Sequence, residues 1–321
     1  MKILAIETSC DDTGVAILEA RSQKLEARSN IVSSQQIHAN YGGVFPIMAK
    51  REHQTNLVPV LTQALKQAKL VNPKSEIRNP KQIPNSKLKT LKKILEKEST
   101  LFESVKEFLE TYEKPKVDYI AVTHGPGLEP CLWVGVNFAK ALSYAWDIPV
   151  IPVNHIEGHI LVNFLNHKSY ILNPKETFPA VSLVVSGGHT QLILVKKIGK
   201  YEIIGETRDD AAGECFDKAA RILGLGYPGG PQIAALAAIS QIGADKTQIN
   251  ADPRESASHQ RESAVVLPRP MMHTKDYDFS FSGLKTSVLY AIRDKKQETN
   301  NKALTKEYIQ NMCFAVQNAI C

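Results

Sequence analysis

The sequence has few of the features that mark secreted, membrane-bound or disulfide-stabilised proteins. Its 321 residues include five cysteines, an odd number with no C-x-x-C pair, which is typical of a protein in a reducing compartment. No apolar run reaches the roughly 18 residues that a membrane helix needs. The N-terminal stretch meets Asp11 and Asp12 before the apolar core of a signal peptide can form. We therefore expect a cytoplasmic chain that has no membrane partner.

Two common catalytic motifs are also missing. The sequence lacks the G-K-[ST] ending of a P-loop, so nucleotide binding by that route is excluded. The stretch HIEGH places Glu157 two residues after His155, whereas the H-E-x-x-H motif places its Glu directly after the first His. At about 100° per residue, Glu157 points roughly 200° away from His155 on a helix. Because Glu157 faces away from the histidines, it cannot act beside a metal that they hold, and a zincin-type metallopeptidase is disfavoured.

The positive charge is concentrated in one segment. The formal net charge is +6, and residues 72–100 hold eight Lys or Arg against three Asp or Glu, a net of +5. We interpret 72–100 as a polar, basic insertion that is solvated and partly disordered, and an RNA-binding arm is the alternative. Residues 243–264 form a second polar insertion.

Two stretches repeat a pattern of apolar strand, polar turn and apolar strand. They are ILAIETSCDDTGVAI, from Ile3 to Ile17, and VSLVVSGGHTQLILV, from Val181 to Val195. Each predicts a β-hairpin near the start of one half of the chain, which indicates two related lobes. We place the N-terminal lobe at 1–153 and the C-terminal lobe at 154–321. Hairpin turns rich in small residues have free backbone N–H groups that can face a phosphate from either side of a cleft.

The first lobe also contains a βα unit with a glycine-rich joint. The apolar run Val117–Thr123 predicts a buried strand, and Trp133–Trp146 has the 3.6-residue period of a helix. Gly125 and Gly127 lie between them. A tight turn and close approach of a ligand explain these glycines equally well.

A histidine pair is the strongest local signal. A strand over Ile148–Val153 leads to Asn154, which is suited to cap a helix, and His155 and His159 follow at i and i+4. This spacing puts both imidazoles on one helix face, as a metal requires, although two polar helix residues would look the same.

Two turn sites are similarly open to a structural or a functional interpretation. Asp11 and Asp12, on the first hairpin turn, are suited to be a general base and its neighbour, or simply turn formers. On the second turn, His189 and Thr190 either line a cleft or cover a strand end.

Six motifs, taken together and in order, resemble the TsaD family, the tRNA N6-threonylcarbamoyladenosine synthases formerly labelled glycoprotein endopeptidases. The motifs are ETSCDDT (7–13), GPGLEPCLWVG (125–135), NHIEGH (154–159), VSGGHTQL (185–192), DDAAGECFDKAARILGLGYPGGP (209–231) and DFSFSGLKT (278–286). The resemblance implies an α/β fold of the two-lobed actin-like or Hsp70-like ATPase type, in agreement with the duplicated hairpin. It covers nearly the whole chain except the two polar insertions.

The resemblance also implies a set of site residues. His155 and His159 match the two histidine ligands of the family's single divalent metal, expected to be iron, with zinc as the alternative. Asp11 matches an acidic residue implicated in catalysis. The positions that match residues holding the adenylate substrate are Val184, Val185, Ser186, Gly187, Gly188, Asp217 and Gly230.

The activity implied by the resemblance is acyl transfer to tRNA. The family moves a threonylcarbamoyl group from threonylcarbamoyl-AMP to N6 of adenosine 37 in tRNAs that read codons beginning with adenine, and AMP is released. Its bacterial partners are TsaB- and TsaE-type proteins. The implied class is therefore a metal-binding, tRNA-modifying acyltransferase of the cytoplasm.

The sequence departs from the family pattern at its end. The family continues beyond the position of Cys321 with a strand, a nucleotide-contacting turn and a later Asp that completes the metal site. We therefore expect an incomplete second lobe and a weak or inactive transferase. Two alternatives stay open, an inactive nucleotide-binding scaffold of the same family and a metallopeptidase.

Overall fold

The structure is a computed structural model that describes residues 1–21, 24–72, 83–164, 178–250, 265–300 and 303–321. The chain divides into two compact units. The first comprises Met1–Ile37 and Val44–Glu176, and the second comprises His38–Gly43 and Thr177–Cys321. Among the described helices, none combines the length and apolarity that crossing a membrane requires.

The first unit is built on a five-stranded mixed sheet. Its strands are β1 (Lys2–Glu7), β2 (Asp12–Arg21), β3 (Lys24–Ser34), β4 (Tyr119–Gly125) and β5 (Val150–Asn154), in the order β3-β2-β1-β4-β5. β1, β2 and β3 are antiparallel, with Ile3 opposite Leu18. β4 pairs parallel to β1, and β5 pairs parallel to β4. The first predicted hairpin is confirmed as β1–β2.

Five α-helices complete the described part of this unit. They are α1 (Pro46–Gln67), α2 (Asn85–Ile94), α3 (Ser99–Thr111), α4 (Glu129–Trp146) and α5 (His155–Leu161), with a short 3-10 helix at Val162–Phe164. Another 3-10 helix, Gln36–Tyr41, begins in the first unit and continues into the second at His38. Leu4 of β1, Leu57 of α1 and Phe138 of α4 are fully buried in one core. The alternating pattern of β1 and the 3.6-residue pattern of α4 each bury their apolar face, which is why both elements could be predicted.

Part of the expected basic insertion is folded, so the interpretation of 72–100 as a solvated segment is wrong for residues 83–100. Helix α2 buries Leu91 and Leu95 in the core of the first unit, each with 1% exposure. Glu98, just before α3, is also buried. The lysine-rich composition hid an amphipathic helix whose leucines recur at i and i+4. Residues 73–82 lie outside the described residues.

The second unit combines a three-stranded antiparallel sheet with four α-helices in its described part. The strands β6 (Ala180–Val185), β7 (Thr190–Lys197) and β8 (Lys200–Glu206) lie in the order β6-β7-β8. The helices are α6 (Ala212–Ile222), α7 (Gly229–Asn250), α8 (Ser282–Glu298) and α9 (Lys306–Ile320). The residues Ala219, Ile233, Val288 and Met312, one from each helix, are fully buried together. The second predicted hairpin is confirmed as β6–β7.

Two boundaries differ from those expected. The compact units divide between Glu176 and Thr177 and not at 153/154, because β5 pairs with β4 and α5, which follows directly, packs on both strands. Helix α7 continues to Asn250, so the first part of the polar segment 243–264 is helical. Residues 251–264 lie outside the described residues.

Candidate functional site

The histidine pair lies at the start of α5, directly after β5. The Asn154 side chain accepts hydrogen bonds from the backbone N–H groups of Ile156 and Glu157, so the predicted cap is confirmed. His155 and His159 share one helix face, with Nε2 of one ring 3.1 Å from Nε2 of the other. The two rings are nearly perpendicular, and their centroids are 4.5 Å apart. The helix therefore directs both Nε2 atoms to one point.

Glu7, the last residue of β1, fixes the orientation of His155. Its Oε2 lies 3.3 Å from Nδ1 of His155, and it accepts a hydrogen bond from the Thr123 hydroxyl of β4. Burial alone would raise the pKa of Glu7, but hydrogen bonds from His155, Ser9 and Thr123 outweigh it and lower the pKa to about 2. An ionised carboxylate only accepts hydrogen bonds, so Nδ1 of His155 is the donor in this contact and Nε2 is the ring nitrogen that faces His159. Sequence reasoning missed Glu7, although it begins the first motif.

This donor set fits a divalent metal. Two ligands about 2.0–2.1 Å from one ion, at tetrahedral or octahedral angles, are separated by roughly 3 Å. The 3.1 Å between the two Nε2 atoms has this value. Burial, together with the neighbouring His155, lowers the pKa of His159, so its ring is neutral at neutral pH. Within the described parts of the chain, no third His, Cys, Asp or Glu joins the pair as a cluster of metal-ligating groups.

The first hairpin turn, which carries Asp11, contacts His155 of this pair. The hydroxyl of Ser9 lies 3.2 Å from Nδ1 of His155, and Asp11 follows two residues later on the same turn. Nε2 of the buried His53, in α1, contacts the Cys10 carbonyl at 2.9 Å. Burial and the nearby Asp11 raise the pKa of the Cys10 thiol to about 12, so this cysteine is a thiol and not a nucleophilic thiolate. The contacts with His155 and His53 hold the turn in place, and Asp11 is half-buried at its tip.

The glycine-rich joint after β4 packs against the same turn. A Cβ at Gly127 would lie 2.6 Å from the Ser9 carbonyl oxygen, and the backbone N–H of Leu128 donates a hydrogen bond to that oxygen. A Cβ at Gly135 of α4 would collide with the Thr8 hydroxyl. Close packing against the first hairpin turn therefore accounts for Gly127. Of the two explanations for this glycine, a tight turn has direct support and close approach of a ligand does not.

The turn of the second hairpin is different, because it exposes backbone. The Ser186 hydroxyl accepts hydrogen bonds from the backbone N–H groups of Gly188 and His189. A Cβ at Gly187 or at Gly188 would meet no atom within 4 Å. Of the two preceding residues proposed to bind substrate, Val184 is buried and Val185 is 55% exposed.

Helix α6 begins against this turn. The backbone N–H of Gly213 donates to the Ser186 carbonyl, and a Cβ at Gly213 would lie 2.9 Å from the Gly187 Cα atom. The Thr190 hydroxyl accepts from the Ala212 N–H, so this buried threonine holds the start of α6, and the structural interpretation of Thr190 applies. The turn therefore lies beside the positive end of a helix dipole, where an anion is favoured.

The remaining predicted residues of the second unit adjoin the same helix. Asp217 lies one turn after Gly213 on α6, and its Oδ1 accepts a hydrogen bond of 2.7 Å from the N–H of Gly229. Gly230 follows in the first turn of α7, and a Cβ there would meet open space. The structure thus brings Ser186, Gly187, Gly188, Asp217 and Gly230 to one region of the second unit.

Asp209 is a further residue that sequence reasoning missed. Its carboxylate accepts hydrogen bonds from the Ser280 hydroxyl, the Phe281 N–H and both the N–H and the hydroxyl of Ser282, where α8 begins. These hydrogen bonds, despite partial burial, lower the pKa of Asp209 to about 2. Asp209 therefore joins the fifth and sixth sequence motifs, and no local pattern in either motif predicts this contact.

Comparison with known proteins assigns the family. A family model described as TsaD, tRNA N6-adenosine threonylcarbamoyltransferase, matches residues 26–75 and 98–321. The chain belongs to this family. A protein of Thermomicrobium roseum named tRNA N6-adenosine threonylcarbamoyltransferase is 41% identical over 290 residues, which cover 90% of this chain and 61% of the relative. The chain thus spans about three-fifths of the length of that relative.

Solved structures resemble the chain only distantly. YeaZ from Pseudomonas aeruginosa gives a TM-score of 0.32 at 14% identity, covering 63% of this chain and 64% of YeaZ. An exopolyphosphatase from Cytophaga hutchinsonii gives 0.25 at 9% identity, covering 99% of this chain and 88% of that protein. These scores add nothing to the assignment, which rests on the family match. The α/β class expected from the resemblance is confirmed by the helices and sheets of both units.

Proposed function

We propose that this TsaD family member transfers the threonylcarbamoyl group of threonylcarbamoyl-AMP to N6 of adenosine 37 in tRNAs that read codons beginning with adenine. The observation that carries the proposal is the family match, which includes the histidine pair, the Ser186–Gly188 turn and Asp217. In the reaction, the adenosine amine attacks the carbamoyl carbon, the bond from that carbon to the phosphate oxygen breaks, and AMP leaves with the electron pair.

The second unit supplies the adenylate site in this proposal. The exposed turn at Ser186–Gly188 lies beside the N-terminus of α6, whose partial positive charge favours a phosphate without the help of a side chain. The open space around Gly187 and Gly188 lets a phosphate approach the backbone closely. Asp217 and Gly230, at the contact of α6 with α7, are suited to hold the nucleoside part.

The first unit supplies the residues that handle the acyl group. His155 and His159 would hold one divalent metal, iron or alternatively zinc, through their Nε2 atoms. Such an ion supplies Lewis-acid polarisation of a carbonyl oxygen. Glu7 keeps the His155 ring in the orientation and tautomer that this ligation needs, as carboxylates do behind many metal-binding histidines. Asp11, at the tip of the adjoining turn, would accept the amine proton or position the amine.

The proposal is tested by following threonine into tRNA. The chain is incubated with isotopically labelled threonine, bicarbonate, ATP, unmodified tRNA, a threonylcarbamoyl-adenylate synthase and the proposed TsaB- and TsaE-type partners. The tRNA is then digested and its nucleosides are analysed by mass spectrometry. We expect a low level of labelled threonylcarbamoyladenosine with the chain and none with its Asp11→Asn, His155→Ala/His159→Ala variant. Equal labelling by both proteins would remove these residues from the reaction.

A further inference from the structure

Helix α2 is the part of the fold that the function described above leaves unused. The family model leaves residues 76–97 unmatched, yet α2 is a folded helix docked on the core of the first unit. Leu91 and Leu95 form its inner face. A surface element that is folded but lies outside the family match is a place to look for a property particular to this chain.

The outer face of α2 is basic. Residues 85–97 hold five lysines and one glutamate. Lys89 and Lys93 each lie about 200° from Leu91, so they point away from the core, and both are exposed. Lys92 and Lys97 are also exposed.

These charges are not neutralised within the described part of the chain. None of the ion pairs among the described residues includes Lys89, Lys92, Lys93 or Lys97, whereas Lys196, Lys218 and Lys295 all pair with acids. Lys89 and Lys93 are moreover a like-charge pair at i and i+4, an arrangement that destabilises an isolated helix. A lysine-rich helix face is most often a solvated face, but a solvated face usually intersperses acids.

Exposed aromatic side chains lie on α4, which α2 contacts. Trp133, Lys140 and Tyr144 are spaced so that they lie along one stripe of α4, and Trp133 and Tyr144 are 50% and 42% exposed. The Lys140 Nζ lies 5.7 Å from the Trp133 ring centroid. Lys87 of α2 lies 5.9 Å from the Tyr144 ring centroid and donates a hydrogen bond to the Ala145 carbonyl, which links the two helices. Two neighbouring helices of the first unit therefore carry exposed ammonium groups and exposed aromatic rings.

We propose that the exposed side chains of these two helices, Lys89 and Lys93 on α2 and Trp133, Lys140 and Tyr144 on α4, form an RNA-binding surface for the tRNA substrate. The proposal rests on the proposed function, which requires a tRNA. Lysines that lack acidic partners bind phosphates and release counterions, and exposed rings stack on unpaired bases, so the combination fits RNA better than an acidic protein. The surface is distinct from the residues assigned to the chemistry and contributes affinity only.

The test compares variants in direct tRNA binding as the salt concentration is changed. Lys89→Gln/Lys93→Gln removes two charges opposite the core, and the matched control Lys296→Gln/Lys306→Gln removes two exposed charges of the second unit. Binding of fluorescently labelled, unmodified tRNA is measured by anisotropy, and thermal unfolding verifies that every variant is folded. We expect the α2 variant to bind roughly tenfold or more weakly at low salt, with a log–log salt slope smaller by about 1.5 to 2. The control should match the wild type in both.

A third variant separates stacking from charge. Trp133→Leu should weaken tRNA binding by roughly fivefold or more at every salt concentration and leave the slope unchanged, since no charge is removed. An α2 variant with wild-type affinity and slope would overturn the proposal. Loss of binding to phosphatidylserine vesicles in the α2 variant, with tRNA binding unchanged, would also overturn it and assign the face to a membrane.

The failure of this surface and the failure of the transferase give different results. If the wild type and the α2 variant modify tRNA with the same KM, the surface is refuted and the transferase stands. If the wild type binds tRNA through α2, as the salt slopes show, but forms no threonylcarbamoyladenosine, the surface stands and the proposed function is refuted.

Discussion

The two hairpins share one sequence pattern, but the structure builds them into different sites. In the first unit, β1 lies between β2 and β4, and its Leu4 and Ile6 are buried. In the second unit, β6 lies at the edge of the described sheet, and its Val181 and Leu183 are each 58% exposed. The same alternation of residues therefore leads to different burial, because burial depends on what pairs with and covers each strand.

The two turns differ in the groups that they present. The first turn works through side chains, since Glu7 and Ser9 contact the His155 ring and Asp11 lies at the tip. The second turn works through backbone, since Gly187 and Gly188 have open space around them. Two hairpins with one sequence pattern therefore differ in the groups at their turns, which are side chains in the first and backbone in the second.

The largest effect is expected from removing both imidazoles. His155→Ala/His159→Ala should lower the bound divalent metal, measured by elemental analysis, by about 100-fold or more, because no nitrogen ligand of the pair is left. Binding of a non-hydrolysable threonylcarbamoyl-adenylate analogue through its phosphate should persist. Metal content equal to that of the wild type would show that the imidazoles do not hold the ion.

The next effect concerns the second turn. Gly187→Val should weaken binding of the adenylate analogue by tens of fold, measured by calorimetry, because the side chain would occupy the space where a phosphate approaches the backbone. Its melting temperature should change little, since a Cβ there meets no atom. Gly213→Ala is the matched comparison and should lower both the affinity and the melting temperature, because its Cβ would lie 2.6 Å from the Ser186 carbonyl oxygen. Equal loss of stability in both variants would make Gly187 a purely structural glycine.

A smaller effect on metal affinity is expected from changing Glu7, which contacts the His155 ring. Glu7→Gln keeps the size of the side chain but removes the charge that holds the proton on Nδ1 of His155. Metal affinity, measured by competition with a chelator, should fall by roughly 10- to 100-fold, as is typical when the partner of a metal-ligating histidine is removed. Adenylate affinity should stay the same. A variant with unchanged metal affinity would show that the contact at 3.3 Å does not support ligation.

The smallest effect is on stability in the second unit. Asp209→Asn should lower the free energy of unfolding by about 1–2 kcal/mol at pH 7, because four hydrogen bonds lose a charged acceptor that solvent partly screens. The pKa of Asp209 is about 2 in the folded state and about 3.9 when unfolded, so the charge stabilises the fold above pH ~4. The difference in free energy of unfolding between the wild type and Asp209→Asn, measured by urea unfolding, should therefore shrink as the pH falls from 4 towards 2. A difference between the two proteins that is constant over this range would point to another cause.

Much of the fold could be predicted because its signals are local. The alternation in β1–β2 and β6–β7, the 3.6-residue period of α4 and the cap at Asn154 each depend on neighbours in the sequence. The i and i+4 spacing likewise predicted the shared face of His155 and His159. In contrast, the composition of 72–100 concealed α2, because its apolar face has few residues and its docking partners lie on other elements.

The parts of the site that escaped prediction depend on contacts between distant residues. Glu7 and His155 are 148 residues apart, and Asp209 and Ser280 are 71 apart. Neither contact leaves a periodic or short-range signal, because each arises only when strands and helices assemble. The two possible reasons for Gly127 could also be separated only by seeing the Ser9 carbonyl beside it.

The most direct test of the central claim follows transfer from the preformed adenylate. Threonylcarbamoyl-AMP labelled at the carbamoyl carbon is given to the chain together with the proposed partners and either unmodified tRNA or the same tRNA with guanosine at position 37. The account predicts that mass spectrometry finds the label on adenosine 37 of the first tRNA and none on the second. A chain that binds both the metal and the adenylate analogue, yet leaves adenosine 37 unlabelled, would contradict it.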